Sequence, residues 1–400
     1  SFLDREGDIQ SFVISTVIAP APSDKINVKD RVVKDMNIED FLHVRVKSDS
    51  LSQGKTNSYW YVGPYAKDKA DRIEPNIVVH NNNNEKFSQN KYKNNLHVIV
   101  SLTGLAVAAL KAGLSEVTVP YSGGLPFKEY KEVGEDNALK ALQGQHVVEF
   151  IDGAYEGRVI TINIENGSIY AEGSTSYLPL TYNIEKGELV ETKLAEELGD
   201  NYALGDLGAG TSDLVLFDEN GINKELSGEN KPIGTNAYID ELMDAIKNRP
   251  EFADILKDSN NPNASPYKTR EQFMSTVIEP EILKMIEHDQ KGEEYNPTFK
   301  ARWTYVKNVD VTDLVMSKLT EYGKKQFEEI MAFWSNAAEA DSFVIVGGGL
   351  LFGYPVFRKY KDRFVFPPDI KEAQFSTSRS YLIANFLDHY IPYVNRGIGE

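Results

Sequence analysis

The chain has 400 residues, of which 41% are apolar and 26% charged, an ordinary balance for a folded protein with a sizeable core. It has no cysteine, which excludes disulfides, zinc–thiolate sites and thiol nucleophiles and suits a reducing compartment, so we expect a cytoplasmic protein. The formal net charge of −17 repels polyanions, so direct binding of DNA over a broad surface is not expected.

The first hundred or so positions carry strand-like runs and one apolar helix. Apolar, β-rich runs at Phe12–Ala19, Phe41–Val46 and Tyr59–Val62 predict a small sheet. Residues 80–95 are polar and rich in asparagine and predict a solvated loop rather than a binding element. The most apolar run, Leu96–Leu110, is too short to span a bilayer, and Leu96–Ala112 predicts a buried helix.

The next segment alternates between strand and helix patterns. Val117–Val119 predicts a strand, Glu135–Leu142 a helix, and His146–Ile151 with Arg158–Ile164 a pair of strands. Asn183–Leu198 is rich in Glu and Lys and predicts a polar helix or an insertion.

Residues 203–217 read A-L-G-D-L-G-A-G-T-S-D-L-V-L-F and predict a hairpin with a tight turn of small residues. Asp206 ends the first apolar run, and the turn follows from Gly208 to Ser212. Backbone N–H groups and hydroxyls in such a turn suit phosphate oxygens, and Asp206 at its mouth suits Mg²⁺ bound through water. The alternative is an ordinary glycine-rich hairpin with a buried aspartate.

The second half is more helical. Helical spacing predicts helices at Ala237–Lys247, at Arg270–Asp289 with an interruption at Pro280, and at Val311–Ala340. The last helix is expected to bury a stripe formed by Leu314, Leu319, Phe327, Ile330, Met331 and Trp334.

A second glycine motif follows that helix. The strand-like run Phe343–Val346 leads directly into Gly347, Gly348 and Gly349, which would let the backbone lie flat against a nucleoside. The next glycine, Gly353, comes one residue too late for a Rossmann fingerprint.

In this order, the two glycine motifs resemble the phosphate-2 and adenosine motifs of the actin-like ATPase superfamily. Within it the chain most resembles the ParM/Alp branch, the bacterial actins that segregate plasmids. Four further segments resemble elements of that family: Tyr61–Gly63, Gly124–Pro126, Ile233–Asn236 and Glu372–Tyr381. In the last of these, Ser376, Thr377 and Ser380 depart from the family's pattern.

The resemblance implies an α/β protein with an actin-like fold, in which two α/β domains, each a mixed sheet flanked by helices, surround a nucleotide cleft. Domain I would comprise residues 1–199 and 369–400, and domain II residues 200–368. The family's phosphate-1 loop, D-x-G-N/S-x-x-x-K, is not found ahead of Ser1, so we expect that an N-terminal piece is missing from the sequence.

The resemblance also implies roles for individual residues. Asp206 would hold Mg²⁺ and its water shell, while Gly208, Ala209, Gly210, Thr211 and Ser212 would surround the phosphates. Gly347, Gly348 and Gly349 would meet the nucleoside. Asp213 would either assist the metal or cap the hairpin. Glu172 would orient the attacking water, the alternative being a turn carboxylate at a strand end.

The implied function is a polymerising ATPase or GTPase that uses ATP or GTP with Mg²⁺ and forms filaments for plasmid DNA segregation. Its partners would be copies of itself and a DNA-binding adaptor, with no membrane and no direct nucleic acid. Two alternatives stay open at this point. One is a sugar- or acetate-kinase-like phosphotransferase of the same superfamily, and the other is a nucleotide-sensing scaffold that does not hydrolyse.

Overall fold

The computed structural model describes residues 1–26, 38–51, 57–67, 69–74, 91–198, 201–218, 221–223, 227, 231–259, 264–267, 269–337, 340–367 and 369–390. The chain divides into two compact units. Unit 1 comprises Ser1–Leu178, Tyr182–Val190 and Ser378–Glu400, and unit 2 comprises Pro179–Thr181 and Glu191–Thr377. The predicted domain boundaries, 199/200 and 368/369, and residues 80–90 of the predicted loop lie outside the described residues.

The elements up to residue 191 are mostly strands. The strands are β1 (Phe2–Leu3), β2 (Ile9–Gln10), β3 (Ile18–Pro20), β4 (Leu42–Lys47), β5 (Asn57–Val62), β6 (Glu116–Leu125), β7 (Gly144–Asp152), β8 (Val159–Ala171), β9 (Tyr182–Glu185) and β10 (Glu188–Glu191). The helices are α1 (Pro64–Lys67), α2 (Asn95–Lys111), α3 (Phe127–Val133), α4 (Glu135–Lys140) and α5 (Leu178–Thr181), with 3₁₀ turns at Ile38–Asp40 and Lys91–Lys93.

A six-stranded mixed sheet forms the centre of unit 1, in the order β3-β5-β4-β7-β8-β6. The predicted strand pair is confirmed, because β7 and β8 are antiparallel neighbours. β6 runs parallel to β8 and continues to Leu125, well past the predicted end at Val119. The predicted strand Phe12–Ala19 is wrong over most of its length, because only its last two residues belong to β3.

Helix α2 packs its apolar surface on this sheet, as its composition predicts. Ile160 and Ile162, two alternate residues of β8, belong to the same buried cluster as Ile99 and Leu102 of α2. The helix begins where the side chain of Asn94 accepts a hydrogen bond from the N–H of Leu96.

The prediction of a polar helix at Asn183–Leu198 is wrong for most of that segment. β9 and β10 form an antiparallel hairpin instead. Lys186 and Gly187 lie between them with φ of +53° and +78°, the two consecutive positive values that a tight hairpin turn requires. Glu and Lys favour helices, but this turn and the pairing of the two strands override that preference.

The elements after residue 191 alternate between helices and strands. The helices are α6 (Ala195–Leu198), α7 (Asn236–Lys247), α8 (Ala253–Asp258), α9 (Arg270–Phe273), α10 (Glu279–Gln290), α11 (Thr312–Asn336), α12 (Gly349–Phe357) and α13 (Ser376–Asn385). The strands are β11 (Tyr202–Leu207), β12 (Ser212–Asp218), β13 (Gly221–Ile222), β14 (Lys300–Trp303), β15 (Val306–Asp310), β16 (Ser342–Val346) and β17 (Phe364–Val365). Short 3₁₀ segments cover Pro250–Phe252, Arg358–Tyr360 and Ile370–Phe375, and π-helical turns cover Met274–Ile278 and Phe386–Tyr390.

Unit 2 has a five-stranded sheet in the order β13-β12-β11-β16-β17. β11 is central: it is antiparallel to β12 and parallel to β16. All six of its residues are buried, which is the pattern of a strand covered on both faces. Helix α13 begins in unit 2 and continues into unit 1, since the division falls between Thr377 and Ser378.

The interruption predicted at Pro280 is a single π-helical turn, Met274–Ile278, directly before α10. Proline has no N–H to donate, and the wider turn accommodates the missing hydrogen bond.

Within the described residues, no helix is both long and apolar enough to cross a membrane.

Helix α11 forms where predicted, and its expected stripe packs against the core, although only part of the stripe is fully buried. Leu319 and Ile330 are fully buried, whereas Leu314, Phe327, Met331 and Trp334 are only partly buried. Tyr322, Gly323 and Gln326 also lie in the buried face.

Candidate functional site

Strands β11 and β12 form the hairpin that the glycine-rich motif predicts. They pair antiparallel up to Leu207, which lies opposite Ser212. The N–H of Gly208 donates to the carbonyl of Thr211 over 2.9 Å and closes the turn. The two residues between them, at the tip, are exposed. The turn is therefore accessible to a ligand.

The segment 234–236 ends at the first residue of α7 and donates hydrogen bonds to the carbonyl groups of this turn. Its N–H groups donate to the turn carbonyls at N···O distances of 3.3 Å (Gly234 to Gly210), 3.4 Å (Thr235 to Gly208) and 2.9 Å (Asn236 to Ala209). A trans peptide directs its N–H away from its C=O, and the described residues contain no cis peptide. The N–H groups of residues 209, 210 and 211 therefore point away from this segment. Successive N–H groups directed to one side form anion-binding concavities.

A buried glutamine on α11 joins the hairpin to the residues before α7. Gln326 is 1% exposed, and its Nε2 donates to Ser212 Oγ over 2.9 Å and to the carbonyl of Ile233 over 2.6 Å. The backbone N–H and C=O of Ser212 both pair with Lys231. Ser212 thus lies at the base of the hairpin, where protein groups already contact it, and its contact with phosphate stays a prediction.

Two carboxylates lie opposite each other at the mouth of the hairpin. Asp206 on β11 and Asp213 on β12 are direct cross-strand partners. Directly opposed residues share a face of the ladder, so two carboxylates there repel each other unless a cation lies nearby. Asp206 is only 8% exposed, which weakens the screening of that repulsion by water. The pair favours a bound cation.

The carboxylates of Asp206 and Asp213 suit a Mg²⁺ ion that also binds oxygen atoms of a ligand. Mg²⁺ prefers oxygen ligands, keeps several waters, and usually binds through one or two carboxylates together with substrate phosphates. In the part of the chain that the structure describes, no group of three or more His, Asp or Glu side chains could hold a metal by itself. The residues therefore suit a magnesium ion held jointly with phosphate oxygens.

The second glycine motif lies beside the first. β16 runs parallel to β11 with Val346 next to Asp206, so Gly347 follows at the same edge of the sheet. Gly347 has a φ of +86°, and a Cβ there would lie 2.4 Å from Asp206 Oδ1. A Cβ on Gly349 would lie 2.7 Å from the carbonyl oxygen of Leu207. The structure thus brings together two motifs that are far apart in the sequence.

A hydroxyl from the C-terminal part of unit 2 also contacts Asp206. Thr377, in the first turn of α13, donates through Oγ1 to Asp206 Oδ2 over 2.9 Å. In the sequence, Thr377 is distinguished only by its departure from the family pattern. Nothing in the local sequence indicates that its side chain meets a carboxylate on β11.

Glu172 lies in unit 1, directly after β8. Its N–H donates to the carbonyl of Leu125 over 2.8 Å, and its carboxylate forms an ion pair with Lys91. Burial raises the pKa of the neighbouring Glu129, the positive charge of Lys91 opposes that rise, and the charge of Glu172 adds to it. Lys91 belongs to the stretch predicted as a solvated loop, so that prediction is wrong for this residue.

Unit 1 also contains an apolar cavity of about 600 Å³. Its walls include Gly104 and Ala108 of α2, Val117 and Val119 of β6, and Leu382 of α13. It contains none of the predicted site residues, and its mostly apolar lining does not suit charged phosphates.

The structure is similar to solved structures of Bacillus thuringiensis ParM. ParM with ATP matches with a TM-score of 0.78 and 43% sequence identity, over 97% of this chain and 95% of that one. ParM with ADP matches with a TM-score of 0.77 and 42% identity, over 97% and 94% of the two chains. The chain belongs to the ParM family of actin-like proteins.

The actin-like protein Alp7A shares the fold, with a TM-score of 0.67 at 16% identity over 97% of this chain and 94% of Alp7A. No family model matches the chain, and no curated protein matches it. Membership of the ParM family confirms the resemblance and the α/β, actin-like fold class that the sequence predicts. The phosphotransferase alternative gains no support from these relatives.

Proposed function

We propose that this chain is a polymerising actin-like ATPase that binds ATP with Mg²⁺ and forms filaments for plasmid DNA segregation. The observation that carries the proposal is the turn Gly208–Thr211, with three N–H groups directed to one side and Asp206, Asp213 and Gly347 at the same edge of the sheet. Solved structures of the related ParM with ATP, ADP and AMPPNP support an adenine nucleotide over GTP.

The chain's own residues would bind the triphosphate in two groups. The N–H groups of residues 209–211 and the hydroxyl of Thr211 would donate to phosphate oxygens, with Ser212 and Gln326 keeping the hairpin in shape. Asp206, assisted by Asp213, would hold Mg²⁺. When bound, the metal neutralises developing phosphate charge. Gly347, Gly348 and Gly349 would let the backbone approach the nucleoside closely.

Hydrolysis would depend on Glu172. Its carboxylate is an acceptor suited to orienting a water for attack, and its ion pair with Lys91 restricts its orientation. Positioning and electrostatics dominate phosphoryl transfer, so a single oriented carboxylate is sufficient for this role.

Family membership supports the proposal of filament formation and DNA transport, which no single residue carries. With a net charge of −17, the chain would reach plasmid DNA through a basic DNA-binding adaptor rather than directly. We also propose that it acts in the cytoplasm.

The proposal is tested by light scattering and phosphate release on the full chain with ATP and Mg²⁺. We expect scattering that rises after a lag and phosphate release that accompanies it. Glu172→Gln should lower phosphate release about 100-fold while filaments still form. Asp206→Asn should abolish both signals at limiting Mg²⁺.

Absence of scattering and of phosphate release with either ATP or GTP would overturn the proposal. Nucleotide binding without phosphate release would instead favour the non-hydrolysing scaffold.

A further inference from the structure

We propose that Thr377 is a positioning residue for the metal–nucleotide complex: its hydroxyl sets the orientation of the Asp206 carboxylate. The inference rests on the proposed function of this site and adds a residue that the family pattern does not supply. It concerns binding of Mg²⁺ with nucleotide, not the chemical step.

Both carboxylate oxygens of Asp206 have close neighbours in the protein. The hydroxyl of Thr377 donates to Oδ2 over 2.9 Å, while the backbone of Gly347 packs against Oδ1. The carboxylate is therefore constrained at both oxygens. A hydrogen bond to an ionised carboxylate is stronger than one between neutral groups, and burial of Asp206 strengthens it further.

Asp206 and Asp213 lie directly opposite each other on the ladder, where like charges repel. Without a restraint, a carboxylate opposite another one rotates away from it, and a metal must then reorder the side chain on binding. The donor on Thr377 holds Asp206 in one rotamer before the metal arrives. This preorganisation lowers the free energy that binding must spend on ordering the ligand.

Thr377 lies where the chain passes from unit 2 to unit 1. It is the last residue of unit 2, and the same helix continues into unit 1 from Ser378. Ser380, a turn further on, bonds Thr175 of unit 1 over 2.8 Å with both side chains buried. The hydroxyls that depart from the family pattern at 377 and 380 thus both have specific partners, each within its own unit.

The test compares Thr377→Val with Thr377→Ser in the full chain. Valine keeps the shape of threonine but removes the donor, whereas serine keeps the donor. Ser378→Ala is the matched control, because the neighbouring hydroxyl bonds Ser1 instead. Binding of a fluorescent ATP analogue is titrated with Mg²⁺ and, separately, measured in EDTA.

We expect Thr377→Val to raise the half-saturating Mg²⁺ concentration about five-fold, the effect of one lost hydrogen bond. Binding in EDTA should be unchanged, Thr377→Ser should restore the Mg²⁺ dependence, and Ser378→Ala should behave as wild type. Thermal unfolding of each variant without nucleotide reports any general loss of stability.

Two results would overturn the inference: an unchanged Mg²⁺ dependence in Thr377→Val, or an equal loss of binding with Mg²⁺ and in EDTA, which would indicate a merely structural role. If wild type itself shows no Mg²⁺-dependent nucleotide binding, the proposed function fails, and that failure is visible before any variant is compared.

Discussion

At the scale of single residues, Gly347 shows most clearly why glycine is needed at this site. Its φ of +86° disfavours any side chain, and a Cβ would lie 2.4 Å from Asp206 Oδ1 and 2.6 Å from the carbonyl oxygen of Leu207. Gly347→Ala should therefore destabilise the nucleotide-free chain by about 2 kcal/mol or more, which thermal unfolding measures.

Gly348→Ala is the matched control for that stability measurement. Its φ is −63°, and the atom nearest to a Cβ there is 3.7 Å away, on Gln374. We expect an unchanged unfolding midpoint for this variant. Equal midpoints for the two variants would show that Gly347 is not constrained as the structure describes.

A second residue-scale prediction concerns His97, in the first turn of α2. Burial, and then the positive charge of Lys91, lower its pKa to about 4 from the usual 6.5. Nε2 is buried and has no hydrogen-bond partner within the described residues. The folded state therefore takes up a proton only at lower pH than the unfolded chain does.

This difference in proton uptake determines whether the stability of the fold rises or falls with pH. Above pH 6.5 the ring is neutral in both states and adds no pH dependence. Between pH 6.5 and about 4 the unfolded chain binds more protons than the folded state, so stability falls as pH falls. The ring is partly exposed, so we expect a loss of about 1–2 kcal/mol across this window. His97→Leu should remove that part of the slope, as measured by chemical denaturation at several pH values. Parallel slopes for the two proteins would contradict the assignment.

Much of the site at this scale could be predicted from the sequence. Asp206, the turn glycines and Gly347 stand in short local patterns whose chemistry is recognisable. Gln326 and Thr377 could not be found in this way, because a glutamine in a helix and a threonine near a helix start are ordinary locally. Their contacts with Ser212 and Asp206 form only because tertiary packing brings these residues together.

At the scale of secondary-structure elements, the turn Gly208–Thr211 depends on the segment 234–236 before α7. A Cβ on Gly234 would lie 2.3 Å from the carbonyl oxygen of Ala209, so Gly234→Ala should push the two apart and disorder the turn. We expect nucleotide affinity to fall at least about ten-fold, by loss of preorganised N–H donors. Equilibrium binding of a fluorescent ATP analogue measures this.

Asn236→Ala serves as the control for this element, since it keeps the backbone N–H that contacts the turn. Its affinity should match wild type. If Gly234→Ala binds as tightly as Asn236→Ala, the turn does not require the close approach of the segment.

Elements whose sequence has clear periodicity or turn residues form as predicted. Features that depend on packing against other elements differ from the prediction. Helix α2 and the hairpin β11–β12 carry clear periodicity or turn chemistry. The buried face of α11 does not follow its largest side chains, because α12 packs so closely that a Cβ on Gly323 would lie 2.6 Å from Val356 Cγ2. That contact is invisible in the sequence of either helix alone.

At the scale of the whole molecule, the net charge of −17 opposes association between copies of the chain. Copies of the chain repel one another, and salt screens that repulsion over a Debye length of about 10 Å at 0.1 M. We therefore expect the critical concentration for ATP-dependent scattering to fall several-fold between about 0.05 and about 0.3 M KCl. A rise with salt would instead mean that ion pairs between subunits dominate assembly.

The sequence by itself determined the two glycine motifs, because they depend on local spacing and turn chemistry, and the resemblance carried by these motifs implied the fold class and the family. Only the tertiary structure decided that β11 and β16 are neighbours, that Gly347 and Thr377 both contact Asp206, and that the backbone N–H groups of the turn point away from the segment 234–236. The physical reason is that these contacts join residues distant along the chain, and their geometry depends on how strands pair and helices pack rather than on any local preference.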